Sequence, residues 1–212
     1  MKVDKFRTVI IYIIIILLGL VCLLPLLNIV AISFSSSAAV EGNMVGLIPV
    51  GFSTAAYEKI LEDSQFWHSF LISVERVVLT LIINFVLIVL MAYPLSKTNA
   101  QFRGRNVYAN LMIFAMLFNG GMIPTFLLVK SYGLLNTVWA LVLPGAVPIF
   151  NVILVMNFFA AVPKELEEAA FIDGANPLQV LTKIFIPISK PVLATVSLFS
   201  IVGSWNDFYS GL

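Results

Sequence analysis

Apolar side chains fall along this chain in long blocks rather than at the spacing of amphipathic helices or half-buried strands. Val9–Ile32 is apolar almost without interruption, and Phe70–Tyr93, Asn106–Val129, Trp139–Ala161 and Pro191–Leu212 repeat the pattern between shorter polar stretches. A run of about 20 residues with few charges suffices for a helix to cross the hydrocarbon core of a bilayer. Helices and closed barrels alone satisfy their own backbone groups there. The pattern predicts an all-α polytopic membrane protein, one membrane domain over 1–212, with transmembrane helices at about 9–32, 70–93, 106–129, 139–161 and 191–212.

Helix-breaking residues refine these blocks. Pro25 falls inside the first, where neighbouring helices or water can satisfy the freed carbonyl. Pro94 ends the second, and Asn119-Gly120-Gly121 followed by Pro124 predicts a broken or kinked third. Pro144 and Pro148 predict kinks in the fourth. In the longest polar segment, Ser33–His68, Ser53 is placed to cap a short helix with Tyr57, Ile60 and Leu61 on one side. Phe66 and Trp67 suit a membrane–water interface.

Composition agrees with the pattern. The 212 residues are 60% hydrophobic and only 11% charged, against roughly 25% charged in soluble domains. A net charge of +1 gives no case for nucleic acid. Cys22 and His68 are each single, so neither a disulfide within the chain nor a His/Cys metal site is expected. Lys2, Lys5 and Arg7 before an apolar run resemble the start of a secretory signal. The run of 24 positions exceeds the about 7–15 residues of a signal's apolar region, so it reads as an uncleaved span.

Charge sets the orientation. With the N-terminus in the cytoplasm, Lys2, Lys5, Arg7, Lys97, Arg103, Arg105, Lys164, Lys183 and Lys190 fall inside, leaving only Lys59, Arg76 and Lys130 of the twelve basic residues outside or near the outer face. The positive-inside rule favours that arrangement and puts 162–190 in the cytoplasm.

That segment reads as a helix–turn–helix elbow. Pro163 suits a first helical turn, and Glu165, Glu167 and Glu168 complement the positive end of a helix over Lys164–Asp173. Gly174 can take the left-handed conformation that stops it. Asn176 and Pro177 then open a second helix, with Leu178, Leu181 and Phe185 on one face and Val180 and Ile184 near it. The elbow is too apolar to stand free in water. From the residues alone, a structural interfacial helix and a partner-docking helix remain equal alternatives.

Glu168-Ala169-Ala170, Gly174, Ile184, Ile186 and Pro187 stand at the spacing of a known motif. They resemble the EAA loop of the membrane subunits of ATP-binding-cassette (ABC) importers, with Ile186 where leucine is usual. Asn157-Phe158-Phe159, Ile172-Asp173-Gly174-Ala175 and Gly203-Ser204-Trp205-Asn206-Asp207-Phe208 look like the carbohydrate-uptake branch. Phe118 to Pro124 and Gly133 to Thr137 resemble permeases for oligosaccharides or polysaccharide fragments.

The resemblance implies a permease subunit of the bacterial cytoplasmic membrane, one half of a heterodimer of six-span subunits. Five of six expected spans precede Leu212, which suggests a C-terminally incomplete chain. It implies a coupling helix docked on a cytoplasmic ABC ATPase dimer, an extracellular solute-binding protein and a carbohydrate substrate. The chain itself would be no enzyme and would hold no catalytic residue, metal or cofactor; ATP and magnesium would sit on the partner ATPase. Glu168, Ala169, Ala170, Asp173, Gly174, Ile184 and Pro187 would form the ATPase-coupling loop. Asn119, Trp205, Asn206 and Asp207 are candidates for the translocation path, because hydroxyls need polar partners and apolar sugar faces need aromatic ones. Glu75 and Arg76 read as interfacial, and Gly203 and Ser204 as residues allowing close helix packing. The alternatives are an ion-coupled secondary transporter and a truncated membrane protein without transport.

Overall fold

The computed structural model describes residues 5–118 and 120–211, and among them helices and turns occur without strands. The chain divides into two units, Met1–Ser69 and Phe70–Leu212. Among the described residues, Arg7–Ser33 and Ser64–Leu95 are each long and apolar enough to cross a membrane. Up to five crossings result if each of three bent helix pairs counts as one.

The first unit is led by α1, Lys5–Ser33. Its valine, isoleucine and leucine side chains from Val9 to Ile32 all lie on the surface, and Pro25 does not interrupt the helix. A helix apolar on every side has its natural solvent in lipid. Polar contacts gather after it: Asn28 donates through Nδ2 to the Gly46 carbonyl (2.7 Å), and the Ser35 hydroxyl accepts from the Val50 amide (3.0 Å). Phe34 stacks on Phe52, with centroids 5.7 Å apart. Two short helices follow, α2 (Ser37–Glu41) and α3 (Ala55–Glu62). Thr54, not Ser53, occupies the cap position of α3, although the Ser53 hydroxyl accepts from the Ala55 amide (3.3 Å).

The second unit begins within α4, Ser64–Leu95. This helix starts earlier than its apolar block because the Asp63 carboxylate accepts from the Gln65 amide (2.8 Å). Pro94 is tolerated one residue from its end. Then come α5 (Arg105–Leu117) and α6 (Met122–Ser131), with Gly121 at φ +86° in the break between them. Asn119 lies outside the described residues.

The fourth apolar block is two helices rather than one kinked helix. Here α7 (Val138–Val142) and α8 (Ile149–Ala160) are separated by a non-helical link containing Pro144, Gly145 and Pro148. Each proline lacks the N–H that would carry the helix across. The chain continues through α9 (Lys164–Ile172), α10 (Pro177–Val180), a π-turn at Leu181–Phe185, α11 (Ile186–Ile188) and α12 (Lys190–Trp205). A 3₁₀ turn at Tyr209–Gly211 ends the described chain.

One face of α4 explains how this unit packs. Arg76, Thr80, Asn84, Ile88 and Ala92 recur every four residues, and all are buried. The first three are polar and the next two apolar. Ile88 and Ala92 enter a core with Val155 and Phe159 of α8, Phe185 of the π-turn, and Leu193 and Val196 of α12. The polar half of the stripe lies beside Ser200 and the residues just beyond α12. Apolar meets apolar and polar meets polar, in an antiparallel register.

Candidate functional site

Two features of the second unit carry chemistry: the elbow at 162–190 and a cavity bordered by α4 and α12, mostly apolar with a row of polar groups on one wall. In the elbow, α8 and α9 meet at 74°, and the segment Pro177–Ile188 meets α12 at 84°. The chain therefore leaves one helix sharply and enters the next as sharply. Gly174 has φ +81°, its amide donates to the Phe171 carbonyl (3.1 Å), and the Ala175 amide donates to the Ala170 carbonyl (2.9 Å). That pair of bonds is the Schellman arrangement that closes a helix on a left-handed residue.

Two residues on, Asn176 and Gln179 form a reciprocal capping box. The Asn176 side chain accepts from the Gln179 amide and the Gln179 side chain from the Asn176 amide, both at 2.9 Å. Pro177 follows at the first helical position.

The buried face of this segment is centred on Val180 and Leu181, and the π-turn adds Phe185 to it. An α-helical register puts Leu178, Leu181 and Phe185 together, but Leu178 is exposed while Val180, Leu181 and Phe185 are buried. The Ile186 amide bonds five residues back to the Leu181 carbonyl, and this wider turn brings Phe185 over Val180.

Of the elbow residues singled out from the sequence, Glu168, Ala169, Asp173, Gly174 and Pro187 are exposed, and Ala170 and Ile184 are half-buried. Leu166, Phe171, Ile172 and Leu178 add exposed apolar surface. Glu167, next to Glu168, does the opposite and is buried. Its Oε2 pairs with Lys97 Nζ at 2.7 Å, and its Oε1 accepts from the Tyr93 hydroxyl at 3.3 Å. The Lys97 ammonium also lies 4.1 Å from the Tyr93 ring centre and 4.2 Å from that of Phe185. Burial pushes the Lys97 ammonium below its ordinary value, and the hydrogen bond and charge of Glu167 oppose that shift without cancelling it. In the sequence Glu167 stands out only as a helix-terminal charge, since its partner lies 70 positions away.

The cavity has a volume of ≈ 1120 Å³. Arg76, Thr80 and Asn84 of α4, Asn151 of α8, Ser200 of α12 and Asp207 supply polar groups to its lining. Arg76 pairs through Nη2 with the Asp207 carboxylate and donates through Nη1 to the Asp207 carbonyl (3.2 Å). Asn84 donates to the Ser200 hydroxyl (3.3 Å). Arg76 Nε, Thr80 Oγ1 and Asn84 Oδ1 are buried with no partner in the protein. Buried polar atoms are normally bonded, so three orphans on one helix face are unusual for a surface that serves packing alone.

Of the sequence-derived path candidates, Asp207 borders this cavity, whereas Trp205 and Asn206 do not. Trp205 packs edge-on to Phe70, with centroids 6.1 Å apart, and Asn206 bonds back to the Val202 carbonyl (2.9 Å). Asn119 lies outside the described residues. Arg76 is buried within the protein and paired with Asp207, and its four-residue spacing to Thr80 and Asn84 was the available signal. Glu75 is exposed and borders the cavity. A methyl group at Gly203 would meet nothing within 4 Å, so this glycine borders open space instead of a close helix contact.

A helical membrane subunit with a sharp elbow between two of its helices is the class these features define. The chain belongs to the family described as binding-protein-dependent transport system inner membrane components, whose model matches residues 85–212. It is 44% identical over 194 residues to Protein LplC of Bacillus subtilis (strain 168), covering 92% of this chain and 65% of LplC. It is 42% identical over 209 residues to the polygalacturonan/rhamnogalacturonan transport system permease protein YtcP of the same organism, covering 99% of this chain and 72% of YtcP. Among solved structures it is similar to a chain of a bacterial ABC transporter involved in the import of the acidic polysaccharide alginate. The TM-score is 0.87 and the identity 37%, covering 97% of this chain and 73% of that one.

Proposed function

We propose that this chain is the membrane-spanning subunit of a bacterial ABC importer that moves a carbohydrate, an oligosaccharide or polysaccharide fragment, across the cytoplasmic membrane. The observation that carries the reading is the elbow at 162–190. Its geometry is fixed from within by the Gly174 turn and the Asn176 capping box, yet it presents Glu168, Phe171, Ile172 and Leu178 outward. An ordered, partly apolar protrusion needs a partner's groove to cover it.

In this reading the N-terminus is cytoplasmic, the spans lie at about 9–32, 70–93, 106–129, 139–161 and 191–212, and the elbow docks on a cytoplasmic ABC ATPase dimer. A second permease subunit completes the pathway and an extracellular binding protein delivers the sugar. ATP and magnesium bind to the ATPase, and this chain makes or breaks no bond. Closure of the ATPases moves the elbow, the elbow moves the spans, and the cavity bordered by Arg76, Thr80, Asn84 and Asp207 changes the side to which it opens. Its volume exceeds the about 300–1,000 Å³ of ordinary small-molecule sites, in keeping with an oligomeric sugar.

Uptake of labelled galacturonan and alginate oligosaccharides by cells expressing the full transport system tests the reading. Uptake that stops on ATP depletion while the ion gradient is held supports it. Uptake that persists until the gradient is collapsed favours an ion-coupled transporter.

A further inference from the structure

The elbow must transmit movement as well as receive it, and its attachment to α4 is unusual in chemistry. Lys97 lies two residues beyond the end of α4 and Glu167 in the first turn of α9. Their side chains are only 12% and 10% exposed, 2.7 Å apart, in an aromatic setting of Tyr93 and Phe185. Phe185 contacts Tyr93 and Phe159 edge-on, at 5.1 and 5.4 Å. One ammonium group thus touches α9 through a carboxylate, the π-turn through a ring, and α4 through Tyr93.

Burying two charges is an expensive way to gain stability, because desolvation can exceed the attraction and an apolar replacement is often as stable. What such a pair offers instead is a fixed relative position, since each charge tolerates few alternatives to its partner. At the other end of α4, Tyr93 and Arg76 are 17 residues apart, roughly 26 Å at helical rise. A helix that continuous transmits a displacement at Tyr93 to the Arg76, Thr80 and Asn84 wall of the cavity.

We propose that Lys97 and Glu167 form the clasp through which α9 moves α4, so that Lys97 is a positioning residue for transport. This rests on the reading that the elbow docks on an ATPase. Glu168 and its neighbours then receive the movement on the exposed side of α9. Glu167 passes it on from the buried side.

The test uses the full chain purified with its ATPase and second permease, in a Cys22→Ser background carrying Ile72→Cys on α4 at the cavity border. The labelling rate of that cysteine by a thiol-reactive fluorophore is measured with and without MgATP plus vanadate. With the clasp intact, nucleotide trapping changes the rate several-fold. Glu167→Gln or Lys97→Gln abolishes the change while the ATPase still co-purifies, and Lys97→Glu combined with Glu167→Lys restores it. An unchanged nucleotide response in both single variants overturns the clasp.

If the single variants fail to accumulate, the swapped pair decides: a restored response supports the clasp, and a complex that assembles without a response overturns it. Failure of the unmutated chain to retain any ATPase removes the docking reading itself, and the clasp with it.

Discussion

Arg76 holds Asp207 twice, through the carboxylate and through the backbone carbonyl at 3.2 Å, although 131 positions separate them. The pair fixes the segment after α12 against α4 at the border of the cavity. Removing one partner of a buried pair costs about 3–5 kcal/mol, because the other charge stays buried and uncompensated. With Asp207 at 29% side-chain exposure, the lower part of that range applies. Asp207→Ala is expected to lower thermal stability in detergent and to reduce uptake. Arg76→Met combined with Asp207→Leu should recover the stability but not the uptake. Recovery of both would assign the pair to structure alone.

Thr80 separates lining from packing. Its hydroxyl is buried without a partner, so Thr80→Val removes an unsatisfied polar group at nearly constant volume. Leaving such a group buried costs about 1–3 kcal/mol, and the variant should be at least as stable as the parent. If the hydroxyl meets substrate, uptake falls even though stability does not. A thermal melt and an uptake assay on one preparation decide between these.

Gly174→Val isolates backbone conformation from space, since a Cβ at this position would meet nothing within 4 Å. The left-handed region costs a residue with a Cβ about 1–2 kcal/mol, more when β-branched. The strain should loosen the turn into α10, whose Val180 is buried in the core. Faster proteolysis near 174 with a modestly lowered melting temperature is the expected result. Gly174→Asn, which tolerates left-handed backbone, should lie between the two.

The capping box makes a smaller, local prediction. Asn176→Ala removes the acceptor for the Gln179 amide and should cost about 1 kcal/mol. Hydrogen exchange should quicken over 178–180 and remain unchanged in α8. Equal acceleration in both would mean that the elbow does not open by itself.

Orientation is tested by a cysteine at the exposed Asp173, again with Cys22→Ser. An impermeant thiol reagent should label it only after the cells are opened. Labelling in intact cells contradicts a cytoplasmic elbow.

Much of the elbow was legible because its signals are local. Gly174 and the Asn176-Pro177 start act within a few residues, and both take the conformations their chemistry favours. The break at Gly121 and the interruption around Pro144 and Pro148 follow from the same local rules, although the second goes further than a kink. The burial of Phe185 beside Val180 rather than in line with Leu178 was not legible, because the π-turn shifts the register by a residue that periodicity does not encode.

The long-range pairs were hidden for a different reason. Nothing near Glu167 announces Lys97, and nothing near Arg76 announces Asp207. The stripe of Arg76, Thr80 and Asn84 was visible as a four-residue period in an apolar helix. Polar residues recurring on one face of an apolar helix are better read together than one at a time.

The central claim is that the elbow at 162–190 holds this chain to an ATPase. It is tested most directly by pulling the tagged protein from its own membranes in mild detergent and identifying the co-purifying chains by mass. Recovery of an ABC ATPase and a second permease, with the ATPase lost on Gly174→Val while the chain stays folded, is the predicted result. Equal recovery of the ATPase with both forms, or none with the unmutated chain, contradicts it.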